Sequence, residues 1–122
     1  MTFRRLALLS AVLFFALSAT WMCAPELMLT QWGVPYTDSA GFVSRRAAAF
    51  YAGMALMLLL ARKAEASGAR VALSSGISLT CLMLATLGIV EWQSGAATAD
   101  ILVAVVLEAV LAVAFLLSNK SK

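Results

Sequence analysis

Histidine is absent from this chain, and charged residues make up only 12% of it. Without an imidazole the chain offers no histidine ligand for haem, zinc or copper, and no base for a Ser-His or Cys-His catalytic pair. A soluble domain carries about 25% charged residues. Because this chain has roughly half that share and is 63% hydrophobic, we predict an integral membrane protein.

Cysteine is scarce as well, with only Cys23 and Cys81 present. Cys23 lies at the end of the first apolar run and Cys81 near the middle of the third, so several residues of helical rise separate their depths. Because a disulfide allows only about 7 Å between Cα atoms, we expect both thiols to be free. The sequence also contains no Walker motif, no dinucleotide-binding glycine fingerprint and no CxxC pair, so we expect neither enzymatic activity nor a cofactor or metal.

Apolar residues, by contrast, are abundant and form four long runs. The runs cover residues 6–24, 43–61, 71–90 and 99–117. Each approaches the roughly 20 residues that cross a hydrocarbon layer, where only helices or closed barrels satisfy their own backbone groups. Short connections at 62–70 and 91–98 favour antiparallel neighbours. We therefore predict an all-α, single-domain fold over residues 1–122: an integral membrane antiparallel four-helix bundle, up-down-up-down, whose first run is retained.

The distribution of basic residues predicts the orientation of this bundle. Basic residues before the first run, in the second connection and in the C-terminal tail share one side, whereas the other side has only Arg45 and Arg46. Membrane proteins concentrate Lys and Arg in cytoplasmic loops and Trp and Tyr at the interfaces. The aromatic residues expected at the outer interface are Trp21, Trp32, Tyr36 and Trp92. We predict that both termini are cytoplasmic. We also expect the lipid bilayer and not nucleic acid as the partner, because the basic residues form no stripe.

The longest connection, 25–42, predicts a short interfacial helix. Pro25 suits the first position of a helix, Glu26 complements its positive end, and Gly33 suits its termination. Thr37 or Asp38 is placed to cap the helix that follows. An ordinary interfacial loop is the alternative.

One carboxylate lies in the middle of the last apolar run. At such a position Glu108 costs at least ~2–3 kcal/mol on insertion scales, which makes it a functional-site hypothesis. Ala104 and Ala112 lie one turn away on either side, so the carboxylate shares a small-residue face that suits helix packing. Two interpretations stand: a carboxylate that binds a proton or cation, or a protonated acid that hydrogen-bonds a neighbouring helix and stabilises the bundle.

Arg45 and Arg46 lie on the side where basic residues are otherwise rare. To reach about 20 residues, their helix must begin near Phe42, which draws both arginines into the outer leaflet. There they extend to the surface, or one turns inward toward Glu108. The acids that compete for them at the same surface are Glu91, Glu26, Asp38 and Asp100. The candidate ligand- or proton-binding residues are therefore Glu108, Arg45, Arg46 and Glu91.

Small residues recur at four-residue spacing in two of the runs. They are Ala49 and Gly53 in the second run, and Ala72, Gly76 and Thr80 in the third. Rows of this kind permit close contact between helices. We therefore expect both rows to face other helices, with a substrate groove as the alternative.

Three segments carry a resemblance to a known group of proteins. They are Ala24-Pro25-Glu26, Trp32-Gly33-Val34-Pro35, and Arg45-Arg46-Ala47-Ala48-Ala49-Phe50-Tyr51-Ala52-Gly53. Their layout resembles that of small four-span bacterial membrane proteins of unknown function with a DoxX-like organisation. The resemblance implies a multi-pass protein of the bacterial inner membrane.

Two hypotheses about function follow. The first is a non-enzymatic membrane protein that binds a lipid, a small apolar ligand or a partner membrane protein. The second is a small proton-coupled transporter that works through Glu108. Because four short helices enclose a narrow interior, the second hypothesis requires an oligomer.

Overall fold

The computed structural model describes residues 2–118, and within that range the chain forms five helices and no strand. The helices are α1 (Phe3–Cys23), α2 (Pro25–Gln31), α3 (Asp38–Ala61), α4 (Gly68–Gln93) and α5 (Ile101–Ser118). Four of them, α1, α3, α4 and α5, are long and apolar enough to cross a membrane, and these four pack together. The prediction of an all-helical fold with four apolar helices is confirmed.

The long helices extend beyond the apolar runs that predict them. Helix α3 begins at Asp38 and not at 43, because the Thr37 side chain accepts a hydrogen bond of 3.0 Å from the Ala40 N–H. Helix α4 begins at Gly68 and not at 71, because the Ser67 hydroxyl accepts a 3.3 Å hydrogen bond from the Arg70 N–H. Hydropathy marks what a membrane tolerates, whereas capping residues determine where a helix starts.

The short helix predicted in the first long connection is confirmed as α2. Pro25 occupies its first turn, and Gly33 follows it with a left-handed φ of 72°, which suits a residue without a Cβ. A Cβ at Gly33 would also clash with the Thr98 side chain. The Thr98 N–H donates a 2.8 Å hydrogen bond to the Trp32 carbonyl, which joins the connection before α5 to the end of α2.

The long helices form two closely packed pairs, α1 with α3 and α4 with α5. A serine hydroxyl crosses each pair. Ser18 donates to the Ala48 carbonyl over 2.7 Å, and Ser78 donates to the Ala112 carbonyl over 2.9 Å. In apolar surroundings an interhelical hydrogen bond of this kind contributes about 0.6 kcal/mol on average.

One buried core joins the two pairs. It uses the first half of α1 and of α4 with the second half of α3 and of α5; its residues are Phe3, Leu6, Ala7, Ala11, Phe14, Ala55, Leu58, Ile77, Cys81, Leu111, Ala112 and Phe115. Arg70 closes this end of the molecule. Its guanidinium donates a 2.9 Å hydrogen bond to the Ser118 carbonyl and lies 4.4 Å from the centroid of the Phe3 ring.

Four of the five small residues in the two predicted rows do not face other helices, so the prediction is wrong for those four. Ala49, Gly53, Ala72 and Gly76 are exposed, and Thr80 is half-buried. No atom comes within 4 Å of a Cβ built at Gly53 or Gly76. Because these helices are apolar on every side, small-residue spacing alone does not indicate which face packs.

The cysteines are both free, as predicted. Cys23 is exposed at the end of α1, and Cys81 is buried in the core.

Candidate functional site

Glu108 borders a cavity of about 250 Å³ that touches all four long helices. We call it the Glu108 cavity; its lining residues are Trp21, Trp32, Val43, Ser44, Ala47, Tyr51, Leu84, Leu87, Gly88, Glu91, Ile101, Ala104 and Glu108. Small-molecule sites in proteins usually measure about 300–1,000 Å³ and are mainly apolar with a few polar groups. At about 250 Å³ the cavity lies just below that range, so it is suited to a small ligand.

Helical periodicity explains which residues line the Glu108 cavity. On α5, Ile101, Ala104 and Glu108 follow one another at three- and four-residue intervals, so they share one face along about 10 Å of helix. Glu108 is half-buried and directed to this interior face. Ala112, one turn further along, is buried in the core and receives the Ser78 hydrogen bond.

Gly88 allows the cavity wall to form. A Cβ at this position would lie 2.5 Å from Cγ2 of Val105, a distance that side chains do not adopt. The absence of a side chain therefore permits the close approach of α4 to α5. Gly88 itself lines the cavity.

Glu108 also borders a second, smaller cavity of about 20 Å³. We call this the inner cavity; its other lining residues are Leu13, Phe14, Leu17, Tyr51, Met54, Thr80, Cys81, Leu84, Leu107 and Leu111. A space of this size holds about one water molecule. Tyr51 and Leu84 line both cavities, so these two side chains and Glu108 lie where the cavities adjoin.

The Glu108 carboxyl forms no hydrogen bond or ion pair with any of the residues that the structure describes. A carboxyl that stabilised the bundle would need a partner on a neighbouring helix. Its side chain instead borders open space in both cavities. The arrangement leaves the carboxyl available to a ligand.

Glu91 and two tryptophans complete the polar and aromatic part of the Glu108 cavity. Glu91 is exposed near the end of α4, so the structure brings two of the four candidate residues to one cavity. The Trp21 and Trp32 rings contact each other at an interplanar angle of 56°, with centroids 5.5 Å apart. Carboxylates and aromatic faces both attract cations, and aromatic rings also bind apolar groups.

Arg45 and Arg46 lie elsewhere. Both are exposed, and neither lines the Glu108 cavity, although the adjacent Ser44 and Ala47 do. At about 100° per residue, Val43, Ser44, Ala47 and Tyr51 share one side of α3, whereas the Arg45 and Arg46 side chains leave the helix on its other side. The Arg46 guanidinium lies 5.8 Å from the Phe42 ring centroid. The arginines and Glu108 therefore line different surfaces.

Sequence reasoning missed several residues of the cavity. The sequence predicted Trp21 and Trp32 as residues of the outer interface, and the structure shows that both also line the Glu108 cavity. Tyr51 places a hydroxyl in an apolar run. It follows Ala47 by four residues and Ser44 by seven, and this helical spacing could have identified the face of α3 that lines the Glu108 cavity.

Over residues 2–118, no group of three or more His, Cys, Asp or Glu side chains is arranged to hold a metal ion.

Comparisons with protein-family models, with curated proteins and with solved structures found no match to this chain. Its function must therefore be argued from the site itself.

Proposed function

We propose that this chain is a non-enzymatic, multi-pass membrane protein that binds a small, mainly apolar ligand in the Glu108 cavity. The observation that carries the proposal is a partly open cavity between the helices, with a carboxyl on its wall and no partner for that carboxyl among the described residues. Lipids and other amphiphiles reach such a site from the bilayer.

The apolar part of the ligand follows from the walls of the cavity. Leucine, isoleucine, alanine and tryptophan side chains make up most of the lining. Burying apolar surface against such walls contributes about 25 cal/mol per Å². The Trp21 and Trp32 rings add broad, flat contact surfaces.

The polar part of the ligand follows from Glu108 and Glu91, which are the charged residues among those lining the cavity. Both are acids, so the cavity favours a group that donates hydrogen bonds or carries positive charge. An amine attached to an apolar body satisfies both requirements. Its ammonium group would face Glu108, with its body against the aromatic and aliphatic wall.

The proposal places the site in the bacterial inner membrane, with the bundle running up-down-up-down and both termini in the cytoplasm. The distribution of basic and aromatic residues supports this orientation. Alternating helix directions are supported by the core, which uses the first half of α1 and α4 and the second half of α3 and α5. The bacterial location rests on the DoxX-like layout.

A matched pair of ligands tests the proposal: 4-phenylbutylammonium and the uncharged 4-phenylbutanol, which share one apolar body. Binding to the purified protein is measured by calorimetry and by quenching of tryptophan fluorescence. We expect the ammonium to bind at least about tenfold more tightly. The Glu108→Gln variant should lose that preference and still bind both compounds, because the apolar walls are unchanged.

Glu26→Gln is the control for this experiment, because Glu26 is an exposed acid that does not line the Glu108 cavity. It should leave the preference intact. If the wild-type protein binds neither compound, or if Glu26→Gln changes the preference as much as Glu108→Gln does, the proposed site is wrong.

A second candidate function is proton-coupled transport by an oligomer. It is favoured by one observation, that Glu108 borders both the Glu108 cavity and the inner cavity. In such a transporter a cationic substrate and a proton compete for one carboxylate. Addition of 4-phenylbutylammonium to the purified protein would then release protons, and Glu108→Gln would abolish the release. Binding without proton release in the wild type would leave ligand binding alone as the function.

A further inference from the structure

A second surface feature lies on α3, away from the Glu108 cavity. It is a groove of about 400 Å³ near the start of the helix. We call it the arginine groove; its lining residues are Met22, Phe42, Arg45, Arg46, Ala49 and Phe50.

The groove combines two guanidinium groups with an exposed apolar surface. Arg45 and Arg46 are its charged residues, and among the described residues that line it none is acidic. The apolar part is large, since Phe42 is 58% and Phe50 76% exposed. Phe42, Arg46 and Phe50 recur every four residues, so they form one continuous face of α3.

We infer that the arginine groove binds a phospholipid with an anionic headgroup. Guanidinium groups match phosphate oxygens in both charge and geometry, and they form paired hydrogen bonds with them. Phe50 lies one turn beyond Arg46, toward the long apolar part of α3, so its exposed ring lies next to these charges and suits the upper part of an acyl chain. A free phosphate ion would use the arginines and leave that apolar face uncovered, so the whole groove favours a lipid.

The position of the groove on the helix supports this occupant. Arg45 ends the second turn of α3 and Arg46 begins the third, both following the Thr37 cap, and the long apolar part of the helix begins immediately after them. A phospholipid has the same order of parts, with its phosphate at the interface and its acyl chains in the hydrocarbon. The inference rests on the membrane-spanning part of the proposed function, and it is independent of any ligand in the Glu108 cavity.

The chain provides a matched control for the two arginines. Arg4 and Arg5 also form an adjacent, exposed pair near the start of an apolar helix. Replacing either pair by glutamine removes the same charge, but only the pair at 45 and 46 lines the arginine groove. A comparison of the two double variants therefore separates a specific site from general attraction between a basic protein and anionic lipid.

The experiment measures the lipids that remain bound when the purified protein is transferred from mixed micelles into the mass spectrometer. The probes are dioleoyl phosphatidylglycerol and dioleoyl phosphatidylcholine, which share their acyl chains. We expect the wild-type protein to retain one phosphatidylglycerol with a preference of at least about tenfold. R45Q/R46Q should lose that preference, whereas R4Q/R5Q and E108Q should keep it.

A third variant tests the apolar half of the groove. F50A should weaken retention of both lipids and preserve the preference for the anionic headgroup, because both arginines remain. The inference is overturned if R4Q/R5Q lowers the preference as much as R45Q/R46Q does. It is also overturned if glycerol phosphate displaces the lipid at equal concentration, or if a second copy of the chain occupies the groove in its place. If 4-phenylbutylammonium does not bind but the preference for phosphatidylglycerol is intact, only the proposed Glu108 site is rejected.

Discussion

The Tyr51 side chain on α3 and the Glu108 side chain on α5 border the same two cavities. Helices α3 and α5 belong to different helix pairs, so these side chains approach the interior from opposite pairs. Leu84 on α4 completes the boundary between the cavities. A ligand beside Glu108 therefore contacts both pairs, and its binding depends on how they pack.

Truncation of Tyr51 should enlarge the binding site. Because this ring borders both cavities and lies 5.8 Å from the Phe14 ring, Tyr51→Ala should merge the cavities. We expect the variant to bind 6-phenylhexylammonium at least about tenfold better relative to 4-phenylbutylammonium than the wild type does. Calorimetry on the purified proteins measures both affinities. Tyr51→Phe, which keeps the ring, should show the wild-type ratio, and an unchanged ratio in Tyr51→Ala would contradict the boundary role.

The two buried serines of α4 should respond in opposite directions to alanine. Ser78→Ala removes the hydrogen bond to the Ala112 carbonyl and should lower the free energy of unfolding by about 0.6–1.7 kcal/mol. The Ser74 hydroxyl is buried and has no hydrogen-bond partner among the described residues, so Ser74→Ala should not destabilise the protein and should stabilise it by up to roughly 1 kcal/mol.

Reversible unfolding in mixed micelles measures both serine variants. Ser75→Ala is the control, because Ser75 lies between the two positions and is exposed. If all three alanine variants lower the free energy of unfolding equally, the effect comes from the helix as a whole and not from the α4–α5 contact.

A methyl group at Gly88 should weaken the contact between α4 and α5. The added Cβ would lie 2.5 Å from Val105 Cγ2, and overpacking of this kind costs about 1–3 kcal/mol. It would also reduce the Glu108 cavity, which Gly88 lines, so affinity for 4-phenylbutylammonium should fall as well. Gly76→Ala on the same helix should cost nothing, because no atom lies within 4 Å of its Cβ position. If Gly88→Ala and Gly76→Ala lower the free energy of unfolding and the ligand affinity by similar amounts, the close contact at Gly88 is not the cause.

Cysteine labelling tests the proposed orientation. In a Cys23→Ser background, a membrane-impermeant maleimide added to whole cells should label Ala96→Cys and not Ala66→Cys. Both positions are exposed in connections between long helices, and Cys81 is buried, so each variant presents one accessible thiol. Permeabilised cells should label both, which controls for reactivity. The reverse pattern in whole cells would invert the proposed topology.

Local features of the fold were predictable because short-range chemistry determines them. The Pro25 start of α2, the left-handed Gly33 after it and the Thr37 cap of α3 each depend on a few neighbouring residues. The free thiols were predictable because Cys23 and Cys81 lie at different heights along their helices. In each case the relevant contacts lie within a few residues or follow directly from helical rise.

The rotation of each helix about its axis was not predictable. In a soluble helix polar residues mark the outer face, but helices apolar enough to cross a membrane, such as these four, give little such indication. The rows that contain Gly53 and Gly76 therefore appeared suited to packing, yet they face outward. For the same reason the sequence did not predict the partners of Arg45 and Arg46. The rotation of α3 about its axis directs both side chains away from the interior.

Glu108 illustrates the difference between what the sequence determines and what the packing of the helices determines. The sequence by itself determined that a carboxylate lies in an apolar helix between two alanines, because composition and helical spacing are properties of the chain. Only the tertiary structure decided that Ala112 enters the core, that Ala104 lines a cavity, and that the carboxyl borders two cavities beside Tyr51. Cavities form where side chains from different helices leave space between them, and that outcome depends on packing across the whole bundle.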